Sequence, residues 1–258
     1  NYHLCYYGKN MPDHNTVQAI AQFGNYLFIG TDNGIRKLNL LTWHFEQTDD
    51  EINKVKAVRA LVFFDDKLWI GTREEGLMYY DMPTGKLHRI PSKMFRHKMV
   101  YALLPVSGKL FIGSYGGLNI YDKASHKLSS VSLPGVKYPI VNSLAYDVHN
   151  NCVWMGTDGK LLSYKLSSRD VEVVCEFSGC YLKSIVSDAQ NNRLLIGTET
   201  GVLDYQIATG LIHKIEHDVH NPQSLCNNFI SKLYQDASNN LWVATDNGIS
   251  MIQQAPLI

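Results

Sequence analysis

The chain has 258 residues, and its 24 basic and 24 acidic side chains give a formal net charge of zero. A neutral chain offers no basic surface to nucleic acid or to an anionic membrane, which argues against both as partners. No apolar run approaches the roughly 20 residues that are needed to cross a bilayer. A chain of this length buries enough surface to be stable without a metal or a disulfide.

An apolar run that ends in a Gly-Thr step recurs six times along the chain. The six copies end at Gly30-Thr31, Gly71-Thr72, Gly113-Ser114, Gly156-Thr157, Gly197-Thr198 and Ala244-Thr245. The glycine or alanine positions are 41, 42, 43, 41 and 47 residues apart. A period of roughly 40 to 45 residues with several short strands per unit predicts a β-propeller rather than a helical solenoid.

Each repeat is predicted to contain four strands. The first has an apolar-x-small-apolar pattern, as at residues 58–61, and leads into a hairpin turn such as Asp65-Asp66. Aspartate, asparagine and glycine suit such turns because they tolerate left-handed backbone conformations. The second strand is the Gly-Thr strand, and the third follows a glycine-containing turn and ends near a Tyr-Asp pair such as Tyr80-Asp81. A Thr-Gly type of turn then leads to the fourth strand.

The two ends of the chain are predicted to share the last blade. Only a third strand, residues 249–252, follows the sixth copy, whereas residues 2–7 resemble a fourth strand without a partner. We therefore expect an all-β fold, a β-propeller of six four-stranded blades, closed by pairing the N-terminal strand with three C-terminal strands. Closure would protect two exposed sheet edges. Residues 1–258 would form a single domain, excised from a larger receptor ectodomain. The alternative is an arc of a larger ring.

The repeats of this chain resemble the two-component regulator propeller repeat. The pattern of that family is Leu-Trp-Ile-Gly-Thr, followed after two or three residues by Gly-Leu-x-x-Tyr-Asp. The nearest copies are residues 71–81 and 113–122, and the joint spacing extends over essentially the whole chain. The resemblance implies a periplasmic sensor of a hybrid histidine kinase, often one that responds to glycans, with the kinase outside this sequence. Two departures are that rings of the family often have seven blades, and that no kinase segment is present.

Two sets of variable residues are predicted to meet at one rim of the propeller. In this fold the start of the first strand and the turn between the second and third strands lie at the same end of a blade. Polar, charged and aromatic side chains at a concave rim suit a sugar or another small polar ligand. The first-strand set is Gln18, Arg59, Tyr101, Asn142, Lys183 and Ser231, and the turn set is Asp32, Arg73, Tyr115, Asp158, Glu199 and Asp246.

Nine of these residues are the predicted ligand contacts. They are Arg59, Arg73, Tyr101, Tyr115, Asn142, Asp158, Lys183, Glu199 and Asp246. Arg59, Arg73, Tyr101 and Tyr115 are the strongest candidates, because they would bring guanidinium and aromatic groups together on neighbouring blades. The alternative reading is that any rim is polar because it meets water.

Other motifs do not point to catalysis, a cofactor or a metal. The sequence has no Gly-x-Ser-x-Gly, His-Glu-x-x-His or phosphate-binding glycine loop, so we predict no catalytic residues and no cofactor. His213, His217 and His220 lie near Asp218, but their spacing fits a solvated loop better than a metal site. Cys175 and Cys180 could close a small disulfide, although free buried cysteines are common. The basic run 93–98 could recruit a sulfated or acidic saccharide, but it is interpreted as a solvated loop.

The leading hypothesis is a ligand-sensing module on the periplasmic or extracellular side of a membrane receptor. Its expected partners are a small-molecule or oligosaccharide ligand and other domains of the same receptor, with a homodimer left open. The membrane would be reached only through segments outside this chain. The alternatives are a protein-interaction scaffold and, with less support, a propeller lyase or hydrolase.

Overall fold

The structure is a computed structural model that describes residues 17–91, 97–136 and 139–253. Twenty-two strands and one short helix are present in these ranges, so the described part of the chain is almost entirely β. The strands form six sheets in chain order, one for each Gly-Thr repeat. The predicted all-β propeller class is therefore confirmed. The chain divides into two compact units, residues 1–131 and residues 132–258.

The first unit contains three sheets of four antiparallel strands. In each sheet the strands lie side by side in chain order, as in a propeller blade. The strands are β1 (Val17–Phe23), β2 (Tyr26–Thr31), β3 (Gly34–Asn39), β4 (His44–Glu46), β5 (Val58–Phe64), β6 (Lys67–Thr72), β7 (Leu77–Asp81), β8 (Lys86–Arg89), β9 (Val100–Val106), β10 (Lys109–Ser114), β11 (Gly117–Asp122) and β12 (Lys127–Val131). The one helix, α1 (Asp50–Asn53), connects the first sheet to the second.

The second unit also contains three sheets, two of which have three assigned strands. The strands are β13 (Val141–Asp147), β14 (Cys152–Lys165), β15 (Val171–Tyr181), β16 (Ser184–Asp188), β17 (Arg193–Thr198), β18 (Gly201–Gln206), β19 (Ile212–Ile215), β20 (Ile230–Gln235), β21 (Leu241–Thr245) and β22 (Gly248–Ile252). The long β14 pairs with β13 through its first half and with β15 through its second half. It therefore takes the place of both the second and the third strand of its blade.

A threonine or serine hydroxyl closes the hairpin after each Gly-Thr strand. Thr31 donates its Oγ1 proton to the carbonyl of Gly34 at 2.9 Å, and Thr198 donates to the carbonyl of Gly201 at 2.8 Å. Thr157 makes the same bond to the carbonyl of Lys160 at 2.9 Å, in the middle of β14. The side chains are buried, so the hydroxyl satisfies a carbonyl that water cannot reach. This bond explains why the motif ends in a hydroxyl residue.

The glycine of the Gly-Thr step lies against the first strand of the next sheet. A Cβ added at Gly71 would stand 2.7 Å from Val100 Cγ1, and one at Gly197 would stand 2.7 Å from Ile230 Cγ2. These valine and isoleucine side chains are fully buried. Neighbouring sheets can therefore pack closely only where the motif has no side chain. The close contact between neighbouring blades explains why glycine recurs at this position.

The predicted hairpin turns adopt left-handed backbone conformations. Asp65 and Asp66 have φ values of 57° and 54°, and Ser107 and Gly108 have values of 48° and 74°. Two consecutive residues with positive φ match the tight hairpin turn whose twist suits antiparallel strands. Asn151 has a φ of 49° in the corresponding turn of the fourth sheet.

An aspartate at the end of the first strand organises the turn in the second unit. Asp147 accepts hydrogen bonds from the Trp154 indole at 3.0 Å and from the Asn150 amide at 2.8 Å. Burial by itself would raise the pKa of Asp147, but these hydrogen bonds outweigh burial and hold its pKa below the usual value. Asp236 accepts the Trp242 indole proton in the same way at 2.9 Å.

One face of the last sheet remains open to solvent. Tyr234, Trp242 and Met251 are cross-strand neighbours on β20, β21 and β22, and all three are exposed. Trp242 is 40% exposed, whereas Trp69, at the same repeat position in the second sheet, is 1% exposed. The first sheet exposes Val17 and Ile20 on β1. The predicted closing strand, residues 2–7, lies outside the described residues, and closure and a single domain remain predictions.

Candidate functional site

In the first unit, the two predicted residue sets lie next to each other. The backbone N–H of Arg73 donates to the carbonyl of Ala57, which precedes β5, at 2.9 Å. The N–H of Tyr115 donates in the same way to the carbonyl of Met99, which precedes β9, at 3.0 Å. Each turn residue is thereby fixed beside the start of its own first strand. The two sets share one edge of these sheets, as the repeat pattern predicts.

Arg73, Tyr115 and Arg59 lie near enough to Tyr101 to influence its pKa. Burial is the main cause that raises the pKa of Tyr101, while the two arginines act in the opposite direction and Tyr115 adds to the rise. The Tyr101 hydroxyl contacts the sulfur of Met99 at 3.3 Å and is half-buried. This edge therefore presents one neutral phenol and two permanent cations to solvent.

Asp32 joins this group from the neighbouring sheet. Its carboxylate lies 3.9 Å from the guanidinium of Arg59, which is a weak contact at a solvated edge. Arg73 is exposed, and Tyr115 is 42% exposed with its ring centroid 4.5 Å from that of His97. Guanidinium donors beside exposed aromatic faces can bind hydroxyl groups and stack against a sugar ring. Gln18 on β1 is also exposed.

In the second unit, Lys183 has two partners at the predicted edge. Its ammonium lies 3.2 Å from the carboxylate of Glu199 and 3.3 Å from the centroid of the Phe229 ring. The lysine is thus held between an anion and an aromatic face, which fixes its position. Glu199 and Lys183 were both predicted as ligand contacts, and the structure places them together.

The remaining predicted residues of the second unit occupy the same type of position. Ser231 donates to the carboxylate of Asp246 at 3.2 Å, and the backbone N–H of Asp246 donates to the carbonyl of Phe229. Asp158 is exposed at its turn, and Asn142 is half-buried on β13. A ligand-binding role for all of these residues remains a prediction.

Three side chains near these edges are not among the predicted ligand contacts. His97 and Phe229 each precede a first strand by one to three residues, a position that the repeat pattern leaves free to vary. Lys232 occupies the position that is small in the other five first strands. Lys232 is exposed when the whole residue is considered, but its ammonium group is shielded from water. This desolvation lowers the pKa of Lys232. A lysine in place of alanine or serine was visible in the sequence and was the available signal.

The histidine-rich loop after β19 has a structural role. His217 contacts the carbonyl of Leu225 through Nδ1 at 2.5 Å, and its backbone N–H donates to the side chain of Asn228. No group of three His, Cys, Asp or Glu side chains suited to a metal occurs within the described ranges. Cys175 and Cys180 both lie on β15, and both are free thiols. Of the basic run 93–98, only His97 and Lys98 fall within the described residues.

A family model described as "Two component regulator propeller" matches residues 224–247. The match covers the loop into the sixth sheet together with β20 and β21. The chain carries a two component regulator propeller repeat. The resemblance that the sequence predicted is therefore confirmed.

Three solved structures that are similar to this chain are of proteins from B. thetaiotaomicron. The extracellular domain of a proposed one component system, BT4673, is 31% identical with a TM-score of 0.88, over 98% of this chain and 34% of that one. A second structure with this domain is described as part of a proposed hybrid two component system, at 31% identity and a TM-score of 0.86, over 96% of this chain and 33% of that one. The extracellular domain of BT3049, also from a proposed hybrid two component system, is 25% identical with a TM-score of 0.70. The similarity covers 90% of this chain and 32% of that one.

These neighbours are much longer than the propeller-repeat chain described here. The chain spans about a third of the length of the solved structures that it matches. They are extracellular domains, which agrees with the predicted location on the outer side of a membrane. In the part of the chain that the structure covers, no helix has the length and apolar character to span a membrane. A comparison with the curated proteins finds no match.

Proposed function

We propose that this chain is a ligand-sensing module on the periplasmic or extracellular side of a hybrid histidine kinase receptor. The similarity to extracellular domains of two component systems supports the sensor role. The chain acts by binding rather than by catalysis, and the kinase lies elsewhere in the full protein. A sensor of this kind transmits a signal when its ligand binds two receptor states with different affinity.

The proposed ligand is a glycan or another small polar molecule. The observation that carries this proposal is the group of Arg59, Arg73, Tyr101 and Tyr115 at one edge of the first unit. Two guanidinium groups supply up to ten N–H donors, and the two phenol rings supply flat faces. Sugar hydroxyl groups need such donors, and sugar rings stack on such faces. In the second unit, Lys183, Glu199, Asn142, Asp158 and Asp246 supply further polar contacts.

The experiment is a thermal-shift screen of neutral, acidic and sulfated oligosaccharides against the purified chain. At least one of them should raise the melting temperature, and the Arg59→Ala and Tyr101→Ala double variant should lose that increase. The matched control is Lys86→Ala, an exposed basic residue at the start of β8. A double variant that keeps the full increase would rule out this edge as the binding site.

A protein-interaction scaffold is the second candidate. Its supporting observation is the exposed apolar face formed by Tyr234, Trp242 and Met251. Contiguous apolar surface of this kind often marks a protein contact. Light scattering of the purified chain tests this alternative, since a scaffold that self-associates through this face should become monomeric when Trp242 and Met251 are replaced by serine.

A further inference from the structure

A cavity lies in the first unit, and none of the predicted ligand contacts lines it. Its volume is about 230 Å³, and it is bounded by β1 to β3, by the segment around α1 and by the end of β7. Its apolar wall contains Phe23, Tyr26, Phe28 and Met82, with Ile52 of α1 also lining it. Pockets for drug-sized molecules begin at roughly 300 Å³, so this cavity suits a ligand with a single ring.

The aromatic wall is held in place by its own packing. Phe63 stacks on Phe23 with ring centroids 4.8 Å apart and meets Phe28 edge-on at 5.3 Å. Phe28 and Ile52 are only 3% and 2% exposed, so their side chains cannot readily move to fill the space. A rigid, preformed wall lowers the entropic cost of binding an apolar ring.

The polar groups of the cavity leave an excess of negative charge. Lys37 is neutralised by Glu46, since its ammonium lies 3.0 Å from that carboxylate, and it also lies 3.7 Å from the centroid of the Tyr26 ring. The carboxylate of Asp49 instead receives two uncharged donors. These are the hydroxyl of Tyr80 at 2.9 Å and the backbone N–H of Glu51 at 3.3 Å.

The Tyr80 hydroxyl stays protonated at neutral pH and continues to donate. Burial, followed by the hydrogen bond to Asp49, raises the pKa of Tyr80 to about 12. The carboxylate of Asp49 is therefore oriented by Tyr80 without being neutralised. The position of Lys37 over Tyr26 shows in addition that an ammonium group fits against this aromatic wall.

We propose that this cavity binds a small organic cation, namely a primary ammonium group attached to one apolar ring. The ring packs against Phe23, which is 44% exposed, and beside Met82, and the ammonium donates a charge-assisted hydrogen bond to Asp49. This site is separate from the polar edge in its residues and in the chemistry of its ligand. It would make the sensing module responsive to an amine as well as to a polar ligand.

Isothermal titration calorimetry of the purified chain with three one-ring probes tests the charge requirement. Benzylamine should bind with a dissociation constant in the millimolar range or below, and benzyl alcohol and phenylacetate should bind at least ten-fold more weakly. Equal binding of benzylamine and phenylacetate, or no binding of benzylamine, would overturn the proposal.

Three variants test the residues of the site. Asp49→Asn keeps an acceptor for Tyr80 but removes the charge, and it should weaken benzylamine binding at least ten-fold. Asp50→Asn changes the neighbouring carboxylate, which is exposed like that of Asp49 but does not line the cavity, and should leave binding within two-fold. Lys37→Met leaves the Glu46 carboxylate without its ion pair and uncovers the Tyr26 ring, so it should strengthen binding several-fold. Unchanged binding in Asp49→Asn, or weaker binding in Lys37→Met, would contradict the proposed charge recognition.

Discussion

Replacing Gly71 by alanine tests the contact between neighbouring blades most sharply. The new methyl group would stand 2.7 Å from Val100 Cγ1 and 3.3 Å from Ala60 Cβ. Overpacking of a close-packed core costs about 1–3 kcal/mol. The φ of Gly71 is not positive, so alanine also lowers the freedom of the unfolded chain, which offsets about 0.4–1 kcal/mol. The midpoints of these two ranges give an expected net loss of about 1–2 kcal/mol.

Thermal unfolding measures this loss directly. At roughly 2–4 °C per kcal/mol for a chain of about this size, the melting temperature of Gly71→Ala should fall by roughly 2–8 °C. Val100→Ala alone removes two buried methyl groups and should cost about 2–3 kcal/mol. In the double variant the truncated side chain makes room for the new methyl, so its loss should be smaller than the sum by about 1 kcal/mol.

Gly156→Ala provides a comparison in the second unit. Its methyl would meet the backbone carbonyl oxygen of Leu182 at 2.8 Å, as well as Ser143 Oγ. Because backbone yields less readily than a side chain, this variant should lose more stability than Gly71→Ala. A Gly71→Ala variant as stable as the parent would refute the packing argument. So would a Gly71→Ala and Val100→Ala double variant whose loss equals the sum of the two single losses.

Two further variants test polar groups that the repeat preserves. Asp147→Asn should lower the free energy of unfolding at pH 7 by about 1–3 kcal/mol, because the buried acceptor for Trp154 loses its charge. Since the folded pKa of Asp147 lies below the unfolded value of about 3.9, its stabilisation is present above that value and is lost as the pH falls through the folded pKa. Urea unfolding at pH 7 and pH 3 should therefore show a smaller difference between variant and parent at pH 3, and an unchanged difference would contradict this. Thr198→Val should cost about 1–3 kcal/mol in urea unfolding, since it removes a buried hydroxyl that donates to the carbonyl of Gly201 and accepts from the N–H of Thr200, and a neutral result would argue against these bonds.

The sequence predicted the features that repeat. The glycine of the Gly-Thr step, the hydroxyl after it and the left-handed turn at Asp65-Asp66 each have one physical reason that recurs from blade to blade, although the sixth copy has Ala244 in place of the glycine. The edge positions could be predicted for the same reason. They follow from where a strand begins and where a hairpin turns, and the ion pair between Lys183 and Glu199 lies at such a place.

Features that depart from the repeat could not be predicted in this way. The helix α1 has only four residues and lies in the connection between the first and second sheets, so it has no periodic signal. The cavity beside it combines Tyr26, Asp49 and Tyr80, which come from two different repeats and meet only in the folded unit. Ser143 shows a further limit. The first-strand pattern requires only a small residue at this position, yet the Ser143 hydroxyl donates to the carbonyl of Leu182 at 2.8 Å and links two sheets.

The central claim, that this chain senses a polar ligand for a receptor kinase, is tested most directly in the full-length receptor. The measurement is glycan-dependent transcription from a target promoter, in cells that carry either the parent receptor or the Arg59→Ala and Tyr101→Ala double variant at equal surface levels. The account predicts that the parent responds to at least one glycan and that the double variant does not. An equal response of both receptors would contradict it.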